Sequence, residues 1–418
     1  MLLSVGVLRR RDADPETAVV TLTLADELDT APSRWLGSGV WLACLLLFGA
    51  MFNLTLVVAG LKEFIIDDLA GTVTDATLFF SIETIAYILF APIWGLLSDR
   101  LGRRRPFIII GFALSSLIYF AYGAVQSVSV LLVLRFAQGA CSVMGWSLVM
   151  AAIVDRVSTS RQGRVMGLMG GSLILGVAIG APVGGYLTRW LGSRAPLTSA
   201  GMLFALLALA AFFLSESKTL RSGIRVQEMI TALNAEARLL LPLAFHFVDR
   251  LAVGLFVVVF PLYLDSLGAS DPAVRGRYLS YFLLPFAFLQ YVSGRVSERT
   301  GPWPPLLIGS FAYGVLLCFV GYADLLLLAP IMVGLGVLAS VMFPPAILLV
   351  AELSDSRVRG SAMGGFNLAG SLGFALGPLL GGWAYGSRGF AFAFVVCGVA
   401  EVVAVLAALV ALRVWGPR

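Results

Sequence analysis

Charge is scarce in this sequence. Only 13% of its 418 residues are Asp, Glu, Lys or Arg, and 59% are hydrophobic, whereas a soluble domain carries about a quarter charged residues. One core cannot hide so much apolar surface, so lipid must be the solvent for much of the chain. Histidine occurs once, as His246, which excludes a multi-histidine metal site. Four cysteines, Cys44, Cys141, Cys318 and Cys397, fall inside apolar stretches. They frame no loop and show no metal-ligand spacing, so they read as small packing residues. A phosphate-binding G-x-x-x-x-G-K-[ST] loop is missing, which excludes an ATP-driven pump. No nucleophile–base–acid set is present either, so an enzyme is not expected. A cleavable signal peptide is not expected either: Met1–Val7 is apolar but short, and Arg9, Arg10 and Arg11 follow it rather than precede it.

Glycine is plentiful, at 45 residues, with 18 prolines. Soluble helices would suffer from both, but membrane helices tolerate them and use Gly for close packing. Mean hydropathy is +0.94. A bilayer span needs about 20 apolar residues. That window predicts twelve spans, near 39–60, 76–97, 106–125, 129–153, 165–187, 198–215, 241–264, 276–294, 304–322, 326–351, 361–384 and 389–412. An even number puts both termini on one side. The segments on that side hold 21 Lys and Arg against 6 opposite, which makes it the cytoplasmic side of a cell (inner) membrane. The same bias accounts for the net charge of +5, so no nucleic-acid partner is expected. Residues 1–35 read as a disordered cytoplasmic tail, 36–215 as a six-helix bundle and 241–414 as a second one. Residues 216–240 form a cytoplasmic linker: Ile224, Met229, Ile230 and Leu233 suit an interfacial amphipathic helix, and a plain linker suits the segment equally.

The two halves resemble each other at a shift of 197 residues. Gly176, Gly180, Gly184 and Gly185 of span five fall on Gly373, Gly377, Gly381 and Gly382 of span eleven. Gly139 falls on Gly336, and Asp155 on Glu352. Each half has six spans, so the repeat keeps its membrane orientation. Two parallel six-span halves are the build of the major facilitator superfamily.

The connection after span two reads Gly95-Leu96-Leu97-Ser98-Asp99-Arg100-Leu101-Gly102-Arg103-Arg104-Arg105-Pro106. It closely resembles that superfamily's signature loop, G-x-L-a-D-r-x-G-r-[RK]-[RK]. Positive-inside charge explains the arginines but not Asp99, Gly95 or Gly102. Physically the loop reads as a latch. Gly95 admits a neighbouring helix, Gly102 permits a tight turn, and Asp99 can accept hydrogen bonds from a helix N-terminus. In the superfamily that helix is span eleven. Asp155, at the end of span four, matches in place the family's acidic partner for the loop arginines, here Arg103. Such contacts exist only with the cytoplasmic side closed, so they favour the outward-facing state.

Span four carries Arg135-Phe136-Ala137-Gln138-Gly139, similar to the R-x-x-Q-G motif of proton-driven members. A charge inside a span is costly, so it is a functional candidate. Arg135 could steer a protonatable carboxylate, bind an anionic substrate, or serve structurally by snorkelling outward. Span eleven holds Gly373-x3-Gly377-Pro378-x2-Gly381-Gly382, and span five Gly176-x3-Gly180-Ala181-Pro182-x-Gly184-Gly185, with its proline one position late. The family's drug exporters resemble this pattern in span five. Close packing and a kink are its physical content, and alanine at Gly377 should be tolerated better than leucine.

Three acids lie inside spans: Glu83, Asp249 and Glu401. Desolvation raises a carboxylate pKa toward neutrality, as a proton carrier needs. Asp249 and Glu83 are the proton-coupling candidates, with Arg135 tuning release. Against this, Asp249 could be a structural ion pair with Arg250 or Arg135, Glu83 could lean into a water-filled vestibule, and Glu401 reads as packed on a polar neighbour. His246 reads as an interior histidine or a proton relay. Asn53, Gln138, His246, Gln290 and Asn367 are candidates for the substrate cavity.

The resemblance implies an all-α membrane protein of twelve transmembrane helices in two pseudo-symmetric six-helix bundles. It also implies a monomeric secondary transporter that moves a small molecule by alternating access. The pattern favours proton antiport and export, with the proton gradient in place of any cofactor. Symport or uniport into the cell is the alternative, although the sugar-porter P-E-S-P-R signature is missing at 154–161. A membrane protein without transport is the remote one. Substrate identity is not legible.

Overall fold

A computed structural model describes residues 38–154, 156–157, 159–215, 236–354 and 359–415. The 1–35 tail, most of the 216–240 linker and Asp155 lie outside these. The N-terminal half contains α1 (Ser38–Leu56), α2 (Val73–Leu101), α3 (Arg105–Tyr122), α4 (Val128–Val154), α5 (Thr159–Leu191) and α6 (Ala195–Ala211). The C-terminal half contains α7 (Leu240–Ser266), α8 (Pro272–Thr300), α9 (Trp303–Val320) and α10 (Leu325–Leu353). A last stretch, Arg359–Trp415, breaks at the non-helical Arg388 and Gly389. It therefore supplies two helices, α11 (359–387) and α12 (390–415). All twelve coincide with the expected spans to within a few residues. Most are apolar enough to cross a bilayer; α6 is short, and α8 is interrupted by polar and charged residues at both ends.

Local chemistry sets the helix ends. Thr72 and Asp75 form a capping box at the start of α2, with Asp75 Oδ2 2.7 Å from Thr72 N. Gly102, at φ +65°, ends the same helix in the left-handed conformation that glycine adopts without penalty. Asp271 and Asp324 cap α8 and α10 by accepting from Ala273 N and Leu327 N, each at 2.9 Å. One element was not legible as such: a short π-helix, Lys62–Asp68, packs Phe64 and Ile65 inward between α1 and α2.

The repeat in sequence is a repeat in packing. A Cβ on Gly176 would stand 2.9 Å from Phe52 N of α1, and one on Gly373 3.0 Å from Leu251 N of α7. Thus α5 lies on α1 backbone-to-backbone, as α11 lies on α7. In the same way Gly139 brings α4 onto Glu83 O of α2, and Gly336 brings α10 onto the backbone of Phe282 in α8. The second glycine of each Gly-Gly pair looks across to the other half. Gly185 faces Pro272 and Ala273 of α8, and Gly382 faces Thr77 of α2.

These cross-contacts all lie at one end of the molecule, the arginine-poor end of the connections 57–72, 192–194 and 267–271. Gly276 meets Ala181 O there as well. At the opposite end, which bears the arginine-rich α2–α3 connection, a Cβ on Gly95 would meet nothing within 4 Å among the described residues, and Gly167, Gly170 and Gly171 of α5 are equally open. Among the described residues the halves therefore meet at the arginine-poor end and part toward the arginine-rich one.

Candidate functional site

The core of the N-terminal bundle holds a complete polar cluster. Arg135 of α4 is fully buried and forms an ion pair with Glu83 of α2. Three further donors are used too. Nε donates to Phe79 O at 3.1 Å, and Nη1 donates to Tyr119 Oη at 3.2 Å and Gln138 Oε1 at 3.1 Å. The guanidinium carbon lies 4.0 Å from the Phe79 ring centroid, a favourable cation–π placement. Tyr87, one turn along α2 from Glu83, donates to Glu83 Oε1 at 2.7 Å. The R-x-x-Q-G spacing has a physical reason here. Arg135 and Gln138 share a face one turn apart, and the bare Gly139 lets the Glu83 carbonyl approach. Arg135 does not snorkel outward, and Glu83, 1% exposed, does not lean into a vestibule.

In the C-terminal bundle Asp249 and Arg250 of α7 pair at 3.1 Å. Arg250 also lies over the rings of Phe343 and Phe286, 5.1 and 5.6 Å from their centroids. Asp249 is buried, and its Oδ1 has no hydrogen-bond partner among the described residues. Arg135 is committed to Glu83, so of the two arginines weighed for Asp249 the structure selects Arg250. His246 stacks on Phe366 with ring centroids 3.9 Å apart and planes 6° apart, at a point where Gly370 leaves room for the imidazole.

The cavity candidates separate. Gln138 belongs to the Arg135 cluster. Asn53 is fully buried and donates to Ala200 O of α6 at 3.4 Å, which ties it to its own bundle. Gln290 is half-buried with Nε2 unpartnered, and Asn367 is exposed. In the α2–α3 connection Asp99 pairs with Arg104 at 3.0 Å. Arg104 is buried, whereas Arg100 and Arg103 are exposed. Asp155 cannot be placed relative to them, being outside the described residues.

Sequence reasoning missed a second set of charges, at the arginine-poor end. Arg275 at the start of α8 is fully buried; it pairs with Glu63 of the π-helix and lies 3.5 Å from Asp265. Lys62 reaches Asp265 at 3.7 Å, and Arg189 of α5 reaches Asp271 at 2.9 Å. These ion pairs tie the two halves together where they meet. The signal was present, since Lys62-Glu63, Asp265 and Arg275 are charges of both signs beside spans. Nothing in the sequence says that the two connections touch.

Two six-helix bundles related by a parallel repeat, closed at one end and open at the other, with ionisable groups in the bundle cores, define a transporter fold. The nucleoside transporter NupG has the same fold (TM-score 0.73, 14% identity, covering 90% of this chain and 99% of that one). So does a bacterial homologue of the human lysosomal transporter Spinster, solved inward-facing and unoccupied (TM-score 0.74, 15% identity, 90% and 98%). The chain belongs to the major facilitator superfamily, whose family model matches residues 43–243 and 242–418. Among curated proteins it is similar to the synaptic vesicular amine transporter of Homo sapiens, 25% identical over 351 residues that cover 80% of this chain and 66% of that protein. It is also similar to the multi-drug resistance efflux pump PmrA of Streptococcus pneumoniae, 25% identical over 325 residues covering 75% and 80%. The chain spans about two thirds of the length of the amine transporters it matches. It is thus a multi-pass membrane protein of a transporter family, and both fold and family are those of carriers rather than enzymes.

Proposed function

We propose that this chain exports small organic molecules across the cell membrane in exchange for protons, with the arginine-rich end and both termini in the cytoplasm. The observation that carries the coupling is the placement of Glu83 and Asp249, two buried carboxylates in different bundles, each held against an arginine. A proton and an arginine compete for a buried carboxylate: pairing keeps it ionised, and separation in the low-dielectric interior makes it take up a proton. Rocking between the two open states changes helix packing around both pairs, so each can load on one side and release on the other. The amine transporters and the efflux pump among its relatives support a drug-sized organic cargo and outward movement. The orientation follows from the distribution of Lys and Arg.

Asp249 is the better carrier of the two, because among the described residues Arg250 alone pairs with it and one of its oxygens has no hydrogen-bond partner. Glu83 is bound by Arg135 and Tyr87 together. On this reading the connection bearing Asp99 latches α2 to α11 when the cytoplasmic end closes, and a state with the arginine-rich end open faces inward.

The test is a solute-dependent proton-flux assay in proteoliposomes, screened across organic amines and drug-like cations. Cargo moving one way should drive protons the other. Protons moving with the cargo would reverse the assignment to symport, and no proton movement during transport would make the chain a uniporter or couple it to another ion.

A further inference from the structure

The C-terminal bundle contains an acid that this scheme does not use. Glu401 of α12 is fully buried, and neither of its carboxylate oxygens has a hydrogen-bond partner among the described residues. Gly314 of α9 makes room for it, since a Cβ there would stand 2.8 Å from Glu401 Cβ. Beside that glycine the hydroxyl of Tyr313, also fully buried, has no hydrogen-bond partner among the described residues. The third such group is Asp249 Oδ1 on α7. The three interact electrostatically: Tyr313 with both carboxylates, and Glu401 with Asp249. The other charged and titratable groups around them are Arg250 of α7, which pairs with Asp249 at 3.1 Å, and Cys397 and Cys318. His246 is turned toward Phe366 and Phe343 instead.

An ionised carboxylate with no partner inside a membrane-embedded bundle is among the most costly arrangements a protein can hold. Two carboxylates that sense each other's charge share protons as a unit. Of this pair, among the described residues, only Asp249 has a cation to offset its charge. We propose that Glu401 is a second proton-binding site of the carrier, which holds its proton while Asp249 is ionised against Arg250.

Infrared spectroscopy of the purified full-length protein in nanodiscs reads this directly, through the C=O stretch of a protonated carboxyl group. At neutral pH the wild type should show that band. It should shift when the protein is grown with carbon-isotope-labelled glutamate, which assigns it to glutamate without any mutation, and Glu401→Gln should remove it. In Asp249→Asn the repelling charge is gone, so Glu401 should ionise more easily and the band should vanish at a pH lower by about one unit or more. Absence of a glutamate band at neutral pH, its survival in Glu401→Gln, or an unmoved midpoint in Asp249→Asn would each overturn the proposal. The readout needs no transport, so a cargo flux uncoupled from protons would defeat the antiport scheme and leave the Glu401 band where it is.

Discussion

Arg135 shows how much one residue can be asked to do. Its guanidinium serves an ion pair, a backbone carbonyl, a tyrosine, a glutamine and an aromatic face at once. Lysine carries the same charge on a point-like ammonium and cannot fork in this way. Arg135→Lys should therefore fail to restore transport at matched expression, and full activity in that variant would show that charge alone matters. Removing one partner of a buried pair leaves the other uncompensated, at a cost of about 3–5 kcal/mol. Glu83→Gln should accordingly lower thermal stability in detergent markedly. Asp249→Asn should lower it less, because Arg250 is 20% exposed and keeps its aromatic neighbours. Equal melting temperatures for the two variants would contradict this. In transport the order should reverse in meaning: Asp249→Asn should stop gradient-driven uptake into inverted vesicles and preserve counterflow exchange. Persistence of gradient-driven uptake in that variant would remove Asp249 from the coupling route.

Between helices, the glycine repeat decides which faces can touch. The spacing in α11 predicts close packing, and the contacts are tighter than the spacing alone implied. At Gly377 even a Cβ collides with the backbone of α7, with Leu251 O and with Leu255 N at 2.9 Å. At Gly381 the obstacles are ends of side chains, Leu255 and Val259, that can turn aside. Gly377→Ala should thus already impair transport, Gly377→Leu should abolish it, and Gly381→Ala should be mild. Uptake by purified variants at equal reconstitution checks the order, and equal activity at 377 and 381 would defeat the packing argument. The motif was legible because helical periodicity fixes which glycines share a face. Which neighbour that face meets was not, because sequence spacing carries no information on the partner helix.

The whole molecule balances two ends. At the arginine-poor end Glu63–Arg275, Lys62–Asp265 and Arg189–Asp271 bridge the halves, and all three must part when that end opens. Glu63→Gln should shift the equilibrium toward that state. In a cysteine-free background, Thr77→Cys, buried at this junction, should react several-fold faster with a membrane-impermeant maleimide from that side. Unchanged labelling would make the bridges incidental. Asp99→Asn should act oppositely, since the latch belongs to the state with the arginine-rich end closed: insertion and folding should persist while transport collapses. Wild-type transport at equal expression would remove the latch from the mechanism. Hydrophobic length, the Lys and Arg bias, the repeat and the Gly95–Pro106 loop determined by themselves that this chain is a twelve-helix carrier of a known superfamily, because each is a local property that the bilayer or the backbone enforces. Only the tertiary structure decided that Arg135 belongs to Glu83, that Asn53 is tied to Ala200, and that Arg275 locks the opposite end. Those pairings join residues 52, 147 and 212 positions apart, and distance in space between such residues is set by how the bundles pack rather than by any pattern along the chain.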